Sequence, residues 1–160
     1  MVSLHRLIEL LDYDASTGTF TWRVRRGGRA QKGTVAGRIS KGHRYILIDR
    51  RNYAAHRLVW LYFHGKWPQY EIDHLNGDRD DNRISNLRDV PRAVNAENMR
   101  RARTDNKSSG LLGVTAQRGR WIAQITVRGR NHNLGSFDTP QKAHAAYVAA
   151  KRRLHVGCTI

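Results

Sequence analysis

Residues 71–78, Glu71-Ile72-Asp73-His74-Leu75-Asn76-Gly77-Asp78, and residues 86–95, Asn86-Leu87-Arg88-Asp89-Val90-Pro91-Arg92-Ala93-Val94-Asn95, decide how this chain is read. Residues 71–74 suit a short strand, and Asn76-Gly77-Asp78 is a strong turn signal. Asp81-Asn82-Arg83 reads as a polar loop, and residues 87–90 as a second strand. Pro91 sits where a helix starts, and residues 93–99 are a good helical run. The predicted order is strand, long loop, strand, helix. A stable core does not require this series of Asp, His and two Asn.

The rest of the sequence says what such a frame would meet. The chain has 160 residues, room for one domain or two small ones, and a net charge of +16. Arg outnumbers Lys, and Arg makes bidentate contacts with phosphate and guanine. A polyanion is the expected partner, nucleic acid before anionic membrane. No apolar run approaches a membrane span and no signal-peptide pattern opens the chain, so membrane binding is not expected. Its one cysteine, Cys158, excludes an internal disulfide and a cysteine-based zinc cage, and points to an intracellular setting. The charge is uneven. Residues 1–70 carry 13 Lys/Arg against 4 Asp/Glu, residues 71–103 carry 7 against 7, and residues 104–160 carry 9 against 2. A neutral middle between basic flanks suits acid-dependent chemistry held on DNA.

Outside the middle, residues 3–11 read as a helix capped by Ser3, with Leu4, Leu7, Ile8 and Leu11 on one face. Residues 14–18 read as a turn and residues 19–24 as a strand. Arg25, Arg26, Arg29 and Lys32 lie in a Gly/Arg-rich loop expected to meet phosphate, or to be a solvated loop. Strands are expected at 45–48 and 53–55, then a helix from His56 to Phe63 ended by Gly65 and Pro68. Trp22, Trp60 and Tyr62 fit core positions better than base stacking. His56 could touch the site or DNA, though a buried, hydrogen-bonded role is the commoner one. Residues 104–111 read as a linker. Strands follow around 113–116, 121–128 and 133–137, then a helix after Thr139-Pro140 with Ala143, Ala146, Tyr147, Ala150 and Leu154 inward. Lys151, Arg152 and Arg153 complement its C-terminus.

The middle segment has the groups that phosphodiester hydrolysis needs. An imidazole titrates near neutral pH, so His74 can take a proton from water. An acceptor on its other nitrogen fixes the tautomer, and the Asn86 side chain can supply one. A hard divalent cation prefers oxygen ligands, which Asp73 and Asn95 offer. Neighbours on a strand face opposite ways, so Asp73 and His74 share a site only on a twisted or irregular backbone. Singly, each has a plainer role: a turn cap at Asp73, a surface histidine at His74, loop and helix-end residues at Asn86 and Asn95.

Asp73-His74, Asn86-Leu87-Arg88 and Asn95 resemble the HNH endonucleases, which carry a ββα-metal fold. His56-Arg57-Leu58-Val59-Trp60 before Ile72-Asp73-His74-Leu75-Asn76-Gly77 looks like the free-standing homing-type members common in bacteriophages. Residues 13–22 and 37–45 match that group as well. The resemblance implies His74 as general base, Asn86 as its orienter, and Asp73 and Asn95 as ligands of one divalent ion, Mg2+ or Mn2+, with no structural zinc. It implies products with 5′-phosphate and 3′-hydroxyl ends. The last motif position is Asn rather than His; Asn98 is a substitute ligand and Asn82 a substitute orienter.

Gly113-Val114, Trp121-Ile122-Ala123-Gln124-Ile125, Leu134-Gly135-Ser136-Phe137 and Ala143-His144-Ala145-Ala146-Tyr147 resemble an AP2 DNA-binding domain, a three-stranded sheet laid in the major groove and backed by a helix. Resemblance and strand parity place Thr115, Gln117, Arg120, Gln124, Thr126, Arg128 and Asn133 on the DNA face. The plainer alternative is a structural module with a solvated polar face. The expectation is an α+β protein: an N-terminal β-rich region leading into a ββα-metal nuclease core, then an AP2-like three-stranded antiparallel sheet backed by one helix. Residues 1–103 would form the nuclease domain (1–55 basic and β-rich, 56–103 the core), 104–111 a linker and 112–160 the AP2-like domain. The expected activity is metal-dependent hydrolysis of double-stranded DNA in the cytoplasm, the host's if the chain is phage-encoded, with no obligate protein partner. The alternative is a catalytically silent DNA-binding regulator on the same scaffold.

Overall fold

Ser3 sets the first element. Its hydroxyl accepts from Arg6 N at 3.1 Å and opens helix α1, Leu4–Leu10. Leu7 and Leu11 are buried and Leu4 packs on the core as expected, but Ile8 stays 40% exposed and Leu10 takes the inward place instead. The helix stops short of Leu11, because Leu11–Asp14 forms strand β1, which pairs antiparallel with β2, Thr19–Trp22. β1 was not foreseen: four residues between a helix and a turn are too few to show a period. β2 ends two residues before the expected Val24, where the Trp22 amide bonds to Thr34 O instead. The turn between them is tied by Asp14, whose carboxylate accepts from Ser16 and Thr17. The computed structural model describes residues 1–160 except 29, 103–105 and 107, so Arg29 and residues 104, 105 and 107 of the expected linker lie outside the described residues.

β3 (Arg38–Ser40), β4 (His43–Ile48) and β5 (Arg51–Ala54) form an antiparallel sheet in that order. The β4–β5 turn needs only Asp49 and Arg50, both at positive φ. Asp enters that region more readily than most residues and Arg does not, and Asp49 is held from outside by Arg6 at 3.0 Å and Arg26 at 3.1 Å. Helix α2, Ala55–His64, follows β5 at once and ends on Gly65 at φ 68°. Strand β6, Glu71–His74, pairs antiparallel with β7, Leu87–Val90, with Asp73 opposite Arg88 and His74 opposite Leu87. A 3-10 turn, Ile84–Asn86, leads into β7.

One hydrophobic cluster joins these elements. Leu7, Leu11, Phe20, Ile46, Ile48, Leu58 and Val59 are its large, fully buried members. Each large aliphatic or aromatic side chain so buried contributes about 1.5–3 kcal/mol. Tyr13, Phe20, Tyr62 and Phe63 add tilted and edge-on ring contacts at centroid distances of 5.1–6.2 Å.

By contacts the chain divides into Met1–Arg92 and Ala93–Ile160. Helix α3, Arg92–Glu97, therefore goes mostly with the second unit, where Glu97 accepts from Gly157 N at 2.8 Å. The second unit holds β8 (Val114–Gln117), β9 (Arg120–Val127) and β10 (Arg130–Phe137), an antiparallel sheet with β9 central, and helix α4, Pro140–Leu154. Thr139 caps α4 and Pro140 opens it, as its sequence predicts. Ala143, Tyr147 and Ala150 face inward, whereas Leu154 is 37% exposed. The inward place near the helix end goes to Lys151, buried to 1% exposure. Its ammonium donates to Met99 O and lies 5.9 Å from the Tyr147 ring centre, so this lysine is a packing group rather than a cap of the exposed helix end. Both units mix helix with small antiparallel sheets, which is the α+β class. Among the described residues no helix is long and apolar enough to cross a membrane.

Candidate active site

β6 brings Asp73 and His74 under cover together, at 6% and 4% exposure. The strand is regular, so the two side chains leave on opposite faces. Asp73 meets its cross-strand partner: Arg88 Nη2 and Nε donate to Oδ2 at 2.7 and 2.9 Å. His74 meets the loop that follows. Its Nε2 lies 3.3 Å from Asn82 Oδ1, and Asn82 is wholly buried. Asn82 Nδ2 donates to Asp80 O at 2.9 Å, which leaves the carbonyl end of the amide for the ring. An amide oxygen only accepts, so the His74 proton sits on Nε2 and the ring lone pair on Nδ1.

Asn86 does something else with its side chain. Its Oδ1 accepts from Asn76 N at 3.0 Å, and its Nδ2 donates to Asn76 Oδ1 at 3.0 Å and Asp81 O at 2.8 Å. Its backbone carbonyl accepts from Leu75 N at 2.9 Å. Asn86 thus fastens both ends of the loop that presents Asn82, and the contact assigned to Asn86 from sequence is made by Asn82. Arg44 grips the same loop from β4 through Asp80, at 2.7 and 3.0 Å. Tyr13 donates to Asn82 O at 3.0 Å. Gly18, at φ 72°, lies so close to Asn82 and Arg83 that a Cβ there would meet Arg83 N at 2.5 Å. The N-terminal hairpin is a buttress of this loop.

Two histidines complete the surroundings of His74: His43 at the start of β4 and His56 in the first turn of α2. The ligand nitrogens of His43, His56 and His74 all lie within 4.8 Å of one another. Ring centres are 5.1 Å apart for His43–His56, 5.2 Å for His56–His74 and 5.7 Å for His43–His74. Burial, then the charges of His74, His43 and Arg57, pushes His56 down to about 3. Burial likewise lowers His43 and His74; for His74 the Asn82 hydrogen bond and the carboxylates of Asp73, Asp78 and Asp81 work the other way. Each ring is held toward its neutral form, which accepts protons or metal ions. His43 was not singled out from sequence, where an isolated histidine at a strand start has no signal. For His56 the sequence leaves both a place at the site and a buried, hydrogen-bonded role open; it is buried beside His74, and its Nδ1 has no hydrogen-bond partner, nor has that of His43.

Residues 53–97, which span α2, β6, the loop, β7 and α3, match the HNH endonuclease family. Protein 3.8 of Escherichia phage T7 is 31% identical over 103 residues, covering 62% of this chain and 83% of that protein. The chain belongs to the HNH endonuclease family. No solved structure matches it significantly.

The remaining candidates fall outside the loop of the HNH domain. Asn95 lies on α3 and is half-buried, while Asn98, 5% exposed, accepts from Thr159 Oγ1. Arg25 and Lys32 are exposed. Arg26 is already committed to Asp49 and lies 5.8 Å from the Trp22 ring centre. In the second unit, α4 covers the face of β9 that carries Ala123 and Ile125. The register puts Thr115, Gln117, Arg120, Gln124, Thr126, Asn131 and Asn133 on the other face. Arg128, at φ 50°, projects from the β9–β10 turn. Asn131 was not named from sequence; it donates to Gln124 Oε1 at 3.2 Å. Arg120 is braced by Ser136 at 2.8 Å and Asp138 at 2.8 Å. An ethylene-responsive transcription factor of Arabidopsis thaliana is 51% identical over 51 residues, 30% of this chain and 20% of that protein.

Proposed function

We propose that the protein is a metal-dependent endonuclease that hydrolyses phosphodiester bonds in duplex DNA, of the homing type, with its AP2-like unit seated in the major groove. The observation that carries this is His74: a buried, neutral imidazole set by Asn82, one residue from a buried carboxylate, in an HNH domain of a chain with net charge +16. His74 Nδ1 takes the proton of the attacking water. The water oxygen bonds to phosphorus, the bond to the 3′-oxygen breaks, and that oxygen is protonated from solvent, leaving 5′-phosphate and 3′-hydroxyl ends.

Asp73 offers a carboxylate oxygen and Asn95 an amide oxygen, donors that suit a hard divalent ion such as Mg2+ or Mn2+. When bound, that ion supplies positive charge against the scissile phosphate and the leaving oxygen. Arg88, which donates to Asp73, adds positive charge beside this carboxylate. Asn86 keeps the loop that holds Asn82 in place, and so acts as a positioning residue. On the AP2-like face Gln117, Gln124 and Asn133 suit adenine edges and Arg120 guanine or phosphate, while Arg128, Arg25, Arg26, Arg29 and Lys32 hold phosphates.

The test uses supercoiled plasmid with Mg2+ or Mn2+. Wild-type protein should cleave it, and neither His74→Ala nor an EDTA-treated sample should. Tight DNA binding without cleavage in any metal would favour the catalytically silent regulator instead.

A further inference from the structure

The proposed hydrolysis uses one imidazole, yet three are gathered. His43 and His56 each bury an Nδ1 with no hydrogen-bond partner, and one ring nitrogen from each of the three histidines lies within 4.8 Å of the others. Leaving a polar atom buried in this way costs about 1–3 kcal/mol, which a bound ligand would offset. Each such atom is a ring nitrogen, and no carboxylate belongs to the set. Imidazole nitrogens favour zinc, copper and nickel, whereas magnesium and manganese favour oxygen.

We propose that His43, His56 and His74 form a site for a transition-metal ion of the zinc class, separate in ligand chemistry from the oxygen donors Asp73 and Asn95, and that filling it silences cleavage by removing His74 as base. A tetrahedral zinc with Zn–N bonds of about 2.0–2.1 Å holds its ligand nitrogens about 3.3 Å apart, so nitrogens already within 4.8 Å of one another need only small χ rotations. Three histidines leave a fourth position for water. Asp73, Asp78 and Asp81 bear electrostatically on His74 and oppose the cost of burying a dication there. Either mode of His74 ligation removes the base. Ligation through Nδ1 uses its lone pair. Ligation through Nε2 breaks the Asn82 bond and shifts the ring proton to Nδ1. This is an exchangeable, inhibitory site rather than a structural zinc.

The site stands on the three rings alone; the silencing rests on the reading of His74 as base. Co2+ added to the full chain should give the visible absorption of a tetrahedral ion, saturating at one equivalent, displaced by Zn2+ and untouched by excess Mg2+. His43→Gln should weaken this binding at least tenfold, and His132→Gln, at an exposed position of β10 in the second unit, should leave it unchanged. In the wild-type protein Zn2+ should shift the ring NMR signals of His43, His56 and His74 together and spare His132, a readout that needs no variant. Zn2+ should also block Mg2+-supported plasmid cleavage by wild type but not by His43→Gln. Absent Co2+ binding, or binding with those three ring signals unmoved, overturns the site. Continued cleavage with the site filled overturns the silencing alone. A wild type that cuts in no metal removes the endonuclease reading while the spectra still decide the site.

Discussion

Asn82 faces His74 with its carbonyl oxygen because its amide nitrogen is spent on Asp80 O, at 2.9 Å against 3.3 Å to the ring. That order of commitments fixes which ring nitrogen has the lone pair. Asn82→Ala should lower single-turnover cleavage about 10–100-fold, in the range typical of lost orienting partners. Asn82→Asp should restore part of it and raise the pH midpoint of the rate, since a carboxylate favours the charged ring. An unchanged rate and pH profile in Asn82→Ala would mean the contact is structural only.

Asp73 and Arg88 are paired with side-chain exposures of 7% and 24%. Arg88→Leu leaves a buried carboxylate without its cation, so stability should fall by roughly 3 kcal/mol. Mg2+ should then raise the thermal midpoint more in the variant than in wild type, by replacing the missing charge. Calorimetric scans with and without Mg2+ check this; an equal shift in both proteins would argue against Asp73 as a ligand.

The buried rings make stability depend on pH. His56 is held at about 3 in the folded chain against 6.5 ordinarily, so between those values the unfolded chain binds a proton that the folded one refuses. Stability is therefore complete above pH 6.5 and declines as pH falls toward 3. The slope from this ring approaches about 1.4 kcal/mol per pH unit. Urea midpoints across that range should fall steeply for wild type and less steeply for His56→Gln.

The polar face of the second unit should separate reading from holding. Gln124→Ala and Asn133→Ala should each cost about 1–3 kcal/mol on a preferred sequence and little on random DNA. Arg128→Ala should weaken both alike and reduce the slope of log affinity against log salt by about 1. Fluorescence anisotropy across a salt series measures both effects.

Gly113 has φ 70°, and a Cβ there would overlap the Tyr147 ring. Gly113→Ala should destabilise the second unit by more than about 2 kcal/mol, from the backbone and the clash together. Tyr147→Ala in the same chain should recover part of the first loss, leaving the backbone share.

Much of this protein was legible in its residues because the signals were local. Ser3 and Thr139-Pro140 mark helix starts by their own hydrogen bonds, and Asn76-Gly77 marks a turn. The alternation from Trp121 to Val127 puts Ala123 and Ile125 under α4. Motif spacing was enough to single out Asp73, His74, Asn86 and Asn95. What short stretches could not show was pairing: β1 and β3 exist because β2 and β4 are there to bond them. Lys151 is inside because Met99 offers a carbonyl and Tyr147 a ring.

The sequence by itself determined the α+β class, the net positive charge and the spacing of the Asp-His-Asn-Asn series, since composition and spacing need no knowledge of neighbours. Only the tertiary structure decided which side chain holds His74. Asn82 and Asn86 are both polar loop residues near it in sequence, and the choice came from where each spent its other hydrogen bonds. Only the tertiary structure, too, brought His43 and His56 to His74, because β4, α2 and β6 meet through packing between residues far apart in the chain.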